Sequence, residues 1–234
     1  VIYYFYSVSR INQKNKKFIF SIPSGNFGNV YSGYIAKKIG LPIDKLIIAT
    51  NENDVLQTFT NKGFIKLKSV KSTISPSMDI QLPSNLERYI YELFGKNNKL
   101  VINSLNYLYK NKKILINKNH IKKIQKNFKS SKVNEKDTLL TMKDFFTRYK
   151  IILDPHTAVG VAAEKKQKIK SLPVIYLATA HPGKFPETIN RAIGKKINLP
   201  KKLLNKKEKY KVINLNYNKI KNYMIKQSRF VKNV

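Results

Sequence analysis

The sequence predicts an α/β protein built on a parallel sheet with flanking helices. Three observations predict it. Residues 18–23 and 46–50 are short apolar runs, the length of buried strands and too short for buried helices. Residues 30–39 between them carry a helical pattern, so strand, helix and strand follow at the spacing of a crossover unit. The first strand meets the helix in Ser24-Gly25-Asn26-Phe27-Gly28-Asn29, a turn rich in glycine and asparagine.

The elements follow in order. Val1-Ile2-Tyr3-Tyr4-Phe5-Tyr6 is apolar, with no basic segment before it and no initiator methionine. It reads as the interior of a helix cut at its start and not as a signal peptide. Residues 1–16 are therefore expected to be the remnant of an N-terminal helix. The strand at 18–23 leads into the helix at 30–39, which Gly40 stops. After the strand at 46–50, Asn51-Glu52-Asn53-Asp54 caps a helix that ends at Gly63. The stretch 71–85 is a Ser- and Pro-rich loop. Ser84 and Glu87 have the spacing of a capping box and open a helix through Leu93.

Residues 97–150 read as a Lys-rich, mainly helical insertion with one short strand candidate at 114–116. The polar stretches 117–136 and 201–211 are expected to be surface insertions. Asp154-Pro155-His156-Thr157 leads into a helix of small residues, 158–163. Residues 173–178 have a buried-strand pattern that ends at Thr179. Residues 17–200 are expected to form one α/β domain, and 201–234 a basic segment that completes it. There is no internal repeat.

The turn at 24–29 is the first candidate site. The first N–H groups of a helix lack intrahelical partners, and the helix dipole is positive there, so an anion is favoured. Glycine lets the backbone approach that anion closely. The turn has no Lys-Ser/Thr ending of the nucleoside triphosphate type and no Gly-x-Gly-x-x-Gly spacing. A small phosphate-bearing ligand fits it better than either. A tight strand-to-helix connection with no ligand is the other reading of the same residues.

Composition excludes several functions. The chain has no cysteine, so disulfides, thiolate metal sites and a cysteine nucleophile are absent. Three histidines, His120, His156 and His181, give no metal-ligand spacing. The net charge of +33 invites a nucleic-acid reading. Its cations are 41 Lys against 5 Arg, however, and Arg is the residue that reads phosphates and bases bidentately. Residues 97–130 hold nine Lys and no acid, and residues 201–234 hold eleven cations and one acid. Charge concentrated in this way sits on solvated helix faces. No specific nucleic acid and no membrane is expected as a partner.

The turn belongs to an ordered set. It is followed by Gly40-Leu41-Pro42-Ile43-Asp44-Lys45-Leu46-Ile47-Ile48-Ala49-Thr50-Asn51-Glu52-Asn53-Asp54 and by Ser75-Pro76-Ser77-Met78-Asp79-Ile80. Asn85-Leu86-Glu87-Arg88, Asp154-Pro155-His156-Thr157-Ala158-Val159-Gly160 and Thr179-Ala180-His181-Pro182-Gly183-Lys184-Phe185-Pro186 come next. In this order the motifs resemble the threonine synthase family and cover most of the chain. The resemblance implies pyridoxal 5'-phosphate as cofactor and the tryptophan-synthase-β-like fold (fold type II), here incomplete at its N-terminal side. It implies that Gly25, Asn26, Phe27, Gly28 and Asn29 hold the cofactor phosphate, largely through backbone N–H groups. It also implies that Thr179 faces the pyridine nitrogen. A neutral hydroxyl there does not keep the ring nitrogen protonated, which suits elimination and replacement chemistry.

The sequence departs from the family at Asn29, where many relatives carry Asp, and at Pro83 and Gly183, which replace residues usually Ser and Ala. The larger departure is that no lysine stands in the family's cofactor-binding context. The implied reaction converts O-phosphohomoserine and water to threonine and phosphate, in the cytoplasm. It requires the N-terminal half of the same enzyme, and this chain alone is expected to be inactive. The rival readings are another fold-type-II lyase (a dehydratase or a cysteine synthase) and a basic nucleic-acid-binding module. His156 and His181, each beside a proline, are expected to be structural, and His120 to lie at the surface. Asp79 is expected to cap a helix, and Glu87 with Arg88 to form a surface ion pair.

Overall fold

In the computed structural model, which describes residues 1–11, 16–169, 172–200 and 211–228, six strands alternate with helices. They are β1 (Phe18–Pro23), β2 (Ile43–Thr50), β3 (Phe64–Lys66), β4 (Lys113–Leu115), β5 (Phe128–Lys132) and β6 (Val174–Tyr176). Four of them form a parallel sheet in the order β5-β2-β1-β6. Phe20 pairs with Leu46, Ile22 with Ile48 and Leu46 with Phe128. β3 and β4 make a small antiparallel pair apart from this sheet.

The alternation of side chains along the strands sorts the core into two layers. Phe18, Phe20, Ile22, Leu46, Ile48 and Phe128 face one way. They pack with residues of α2 (Gly28–Lys38), α3 (Val55–Lys62) and α4 (Leu86–Leu93). Full burial of one such side chain contributes about 1.5–3 kcal/mol. Ile19, Ile47 and Ala49 face the other way, onto Val159, Ala162 and Ala163 of α8 (Pro155–Gln167). Helices on both faces explain why β1 is buried along its whole length.

α8 owes its position to its small residues. A Cβ on Gly160 would lie 3.3 Å from Pro23 Cδ, so the helix lies close on the sheet there. The same approach brings the Ser21 hydroxyl to the Gly160 carbonyl, to which it donates at 2.6 Å. On its outer side α8 meets α7 (Glu135–Tyr149) and α9 (Pro186–Ile193) through Met142, Val161 and Ile189.

α1 (Ile2–Ser9) contributes one buried side chain, Tyr4. Its ring stands 4.8 Å from that of Phe20 and against Gly33 of α2, where a Cβ would come within 2.9 Å of it. α5 (Asn98–Asn111) and α6 (Lys118–Asn127) carry much of the Lys-rich region on exposed faces. Residues 1–199 form one compact unit and 200–234 a second. In the second, α10 (Tyr217–Gln227) is capped by Asn216, whose side chain accepts from the Lys219 N–H. Of the stretch 201–211, residues 201–210 lie outside the described residues. No helix among the described residues is long and apolar enough to cross a membrane.

The structure corrects the sequence reading of several elements. Asp54 precedes α3 but makes no side-chain cap. Residues 128–132, expected within a surface insertion, are β5, paired with β2 in the main sheet. Ser84 does not cap α4, whose preceding residue Asn85 also makes no side-chain cap. Asp79 caps no helix: it accepts from Asn51 Nδ2, Asn53 Nδ2 and the amide and hydroxyl of Thr73. Those bonds tie the loop at 71–81 to the end of β2.

Candidate functional site

The site begins where β1 runs out. The Ser24 amide donates to the Ala49 carbonyl at 3.0 Å, which ends the strand on its neighbour. The Ser24 hydroxyl accepts the Phe27 N–H at 3.1 Å and closes a tight turn. Phe27 takes a left-handed conformation, φ 66 and ψ 0. That costs a non-glycine residue about 1–2 kcal/mol. Its fully buried ring, 5.9 Å from those of Tyr89 and Phe128, offsets the cost. Phe27 is thus the anchor of the turn. Its side chain points into the core and its N–H is committed to Ser24.

Asn26 and Asn29 are the exposed members of the turn. The first helical hydrogen bond of α2 runs from the Tyr31 N–H to the Phe27 carbonyl. Within the described chain no acceptor meets the N–H groups of Gly25, Asn26, Gly28 or Asn29. A Cβ on Gly25 would fall 2.8 Å from Met78 Cα and 3.0 Å from the Ser77 carbonyl oxygen. Only glycine fits between β1 and that loop. The Tyr4 phenol holds the turn from behind, donating to the Asn29 carbonyl at 2.6 Å. Burial pushes the Tyr4 phenol well above its ordinary pKa, so it stays a donor.

These residues open onto a cavity of about 340 Å³. Gly25, Asn26, Gly28 and Asn29 form one wall, and Ser77, Met78 and Asn85 another. His156 comes from the start of α8, and Thr179, Lys184 and Phe185 from the segment after β6. Thr179 thereby joins a turn about 150 residues earlier in the chain. Of the six residues named from the sequence, five line this cavity and Phe27 does not.

Several lining residues were not singled out as site residues from the sequence. His156 is fully enclosed. Its Nε2 accepts the Ser77 N–H at 3.2 Å, which places the ring proton on Nδ1, toward Asp154 Oδ1 at 3.0 Å. Asp154 caps α8 through the amides of His156 and Thr157 and also accepts from the Thr157 hydroxyl. His156 thus ties the loop at 77 to the start of α8, the structural role expected of it, while its ring also lines the cavity. His181 caps the short turn Pro182–Lys184, its Nδ1 accepting from the Gly183 N–H at 3.1 Å. His120 is half-buried against the Phe94 ring, and burial with nearby Lys123 holds its pKa down.

Glu87 and Arg88 make no ion pair with each other or with another described residue. They line a second cavity of about 570 Å³ bordered by Tyr31, Tyr91 and Ile102. Among the described residues no cluster of His, Asp and Glu is arranged to hold a metal ion.

Residues 157–224 match the family described as "Threonine synthase, C-terminal". The chain is 37% identical to the threonine synthase of Pseudomonas aeruginosa over 202 residues, covering 86% of this chain and 43% of that protein. It is 41% identical to the threonine synthase of Saccharomyces cerevisiae over 211 residues, 82% of this chain and 41% of the relative. The chain is similar to the C-terminal portion of threonine synthases. Solved threonine synthases share its fold. The pyridoxal-phosphate-bound enzyme of Brucella melitensis superposes with a TM-score of 0.87 at 33% identity, over 97% of this chain and 50% of that one. The yeast enzyme gives 0.79 at 39% identity, over 86% and 45%. The chain spans about half the length of the threonine synthases it matches.

The cavity fits a phosphate ester on its own observations. Four loop N–H groups have no acceptor in the described chain, and no lining side chain is a carboxylate. The helix dipole of α2 adds positive potential at the same place. The fold type II, parallel-sheet architecture expected from the sequence is the one observed.

Proposed function

We propose that this chain forms the cofactor-phosphate portion of a pyridoxal-phosphate-dependent threonine synthase, which converts O-phosphohomoserine and water to threonine and phosphate. The observation that carries the reading is the meeting of the 25–29 turn and Thr179 in one cavity. The similarity to the C-terminal portion of threonine synthases supports it.

When bound, pyridoxal phosphate supplies the electron sink for proton removal and phosphate loss. The residues of this chain supply its surroundings. The N–H groups of Gly25, Asn26, Gly28 and Asn29 bind the phosphate at the positive end of α2. The Phe27 N–H closes the turn instead of binding. Thr179 would offer the pyridine nitrogen a neutral hydroxyl, a partner that does not keep it protonated. Met78 and Phe185 give the cavity part of its apolar lining. His156, held neutral between Ser77 and Asp154, keeps the wall in place.

The covalent lysine belongs to the N-terminal portion of a full-length relative, so this chain by itself is inactive. A cytoplasmic location belongs to the same proposal. The test is a chimera that joins the N-terminal portion of the Pseudomonas aeruginosa enzyme to this chain. The chimera is expected to form threonine and phosphate from O-phosphohomoserine, and the chain alone to form neither. Consumption of threonine by the chimera, without its production, transfers the reading to a dehydratase. Turnover by the chain alone overturns the assignment of the lysine.

A further inference from the structure

The cavity at the 25–29 turn is lined almost wholly by neutral groups. Asn26, Asn29, Ser77, Asn85 and Thr179 carry no charge. His156 is neutral because its Nε2 accepts the Ser77 N–H. A phosphate monoester brought here as a dianion meets dipoles and, among the described lining residues, one ammonium, that of Lys184.

Lys184 takes part in no ion pair with a described residue. Its backbone is fixed. The Lys184 N–H donates to the His181 carbonyl at 3.0 Å, and the Phe185 N–H to the Pro182 carbonyl at 2.9 Å. Gly183 packs so closely on the chain at Asn198 that a Cβ would stand 2.8 Å from its carbonyl oxygen. The Phe185 ring lies 5.0 Å from that of His156. Lys184 therefore lines the cavity from a turn locked from both sides and makes no ion pair among the described residues.

We propose that Lys184 supplies the counter-charge for a phosphate-monoester dianion in this cavity. The proposal rests on reading the cavity as a phosphate-ester site. The shared chemistry is the phosphate monoester, carried by the cofactor or by the substrate, and the arms of the test separate the two. A compact ammonium suits a phosphate as a point charge.

The experiment measures binding to the 234-residue chain at fixed ionic strength. The probes are pyridoxine 5'-phosphate, pyridoxine, inorganic phosphate and O-phosphohomoserine. Pyridoxine phosphate has no aldehyde, so it forms no adducts with the many lysines. Lys184→Gln is compared with Lys184→Arg and with Lys62→Gln, an exposed lysine at the end of α3. Lys184→Gln is expected to weaken the phosphate-bearing probes about tenfold and to leave pyridoxine unchanged. Lys184→Arg keeps binding within about threefold, and Lys62→Gln leaves all probes unchanged. Loss for pyridoxine phosphate assigns the charge to the cofactor, and loss for O-phosphohomoserine alone assigns it to the substrate. Unchanged affinity in Lys184→Gln, or an equal loss in Lys62→Gln, overturns the proposal. Lys184-dependent binding of inorganic phosphate with no gain for pyridoxine phosphate keeps the proposal and overturns the cofactor reading. A wild-type chain with no saturable binding of any phosphate probe overturns both.

Discussion

Ser84 holds Asn26 by two donors at once: its amide and its hydroxyl reach Asn26 Oδ1 at 2.6 and 2.9 Å. The Asn85 amide adds a third bond, to the Asn26 carbonyl at 3.3 Å. The turn at 24–29 and the start of α4 are thereby one unit, although 58 residues separate them.

Asn26→Ala removes the acceptor of both Ser84 donors and leaves the Asn85 amide bond to the Asn26 carbonyl as the link between the turn and α4. Exposed hydrogen bonds of this kind contribute about 0.5–1.5 kcal/mol each, so the fold survives. The expected result is a modest fall in Tm with a clear loss of pyridoxine 5'-phosphate affinity. Ser84→Ala, which keeps the amide bond, should lose less on both counts. Equal affinity in all three proteins would show that Ser84 does not position the turn.

Gly25→Ala forces a Cβ against backbone atoms of Met78 and Ser77, which cannot swing aside. Overpacking of this kind costs about 1–3 kcal/mol. The comparison is Gly194→Ala, where φ is +65 and nothing lies within 4 Å. That change costs about 1 kcal/mol through backbone strain alone. Thermal melts should rank Gly25→Ala below Gly194→Ala, and only the former should lose phosphate-ester binding.

Asp54 sits between Lys68 at 2.9 Å and Lys132 at 3.4 Å. Partial burial opposes its ionisation, but the two ammonium groups outweigh it and hold the carboxyl below its usual range. A folded-state pKa below the unfolded one means that the stabilisation is present above the unfolded value. It is lost as pH falls through the folded one. The difference in Tm between the wild type and Asp54→Asn should be constant near neutrality and shrink below about pH 4. The corresponding loss of stability at neutral pH should be about 1 kcal/mol or less, since both pairs are partly exposed. A difference that grows on acidification would contradict the assigned direction.

Thr50 closes β2 with a fully buried hydroxyl that has no hydrogen-bond partner among the described residues. A buried, unpartnered hydroxyl costs about 1–3 kcal/mol relative to an apolar group of the same shape. Thr50→Val should raise the midpoint of denaturant unfolding at unchanged m-value. A destabilised Thr50→Val variant would show that the hydroxyl has a partner.

Much of the fold is legible because the code for it is local. β1, β2, α2, α3 and α8 each announce themselves by an apolar run, a helical period, or a proline and glycine at the ends. β5 does not. Phe128-Lys129-Ser130-Ser131-Lys132 has one strong apolar residue and two lysines, and no period reveals it. It is a strand because β2 offers it a ladder and because the Ser130 hydroxyl donates to the Ile48 carbonyl at 2.7 Å. Ser84 has the same lesson. Its spacing to Glu87 satisfies a local capping rule, but Asn26 competes for its hydroxyl from across the fold.

By itself the sequence determined the sheet-helix alternation, the glycine turn at a helix start and the ordered motifs that mark the family. These are short-range patterns, and backbone propensity and burial period write them directly into neighbouring residues. Only the tertiary structure decided which residues meet. It turned Phe27 inward as an anchor, set His156 and Lys184 beside Thr179, and paired Ser84 with Asn26. The physical reason is that hydrogen bonds and packing across the chain depend on distance in space. Spacing in sequence does not contain that distance until the sheet has brought the strand ends together.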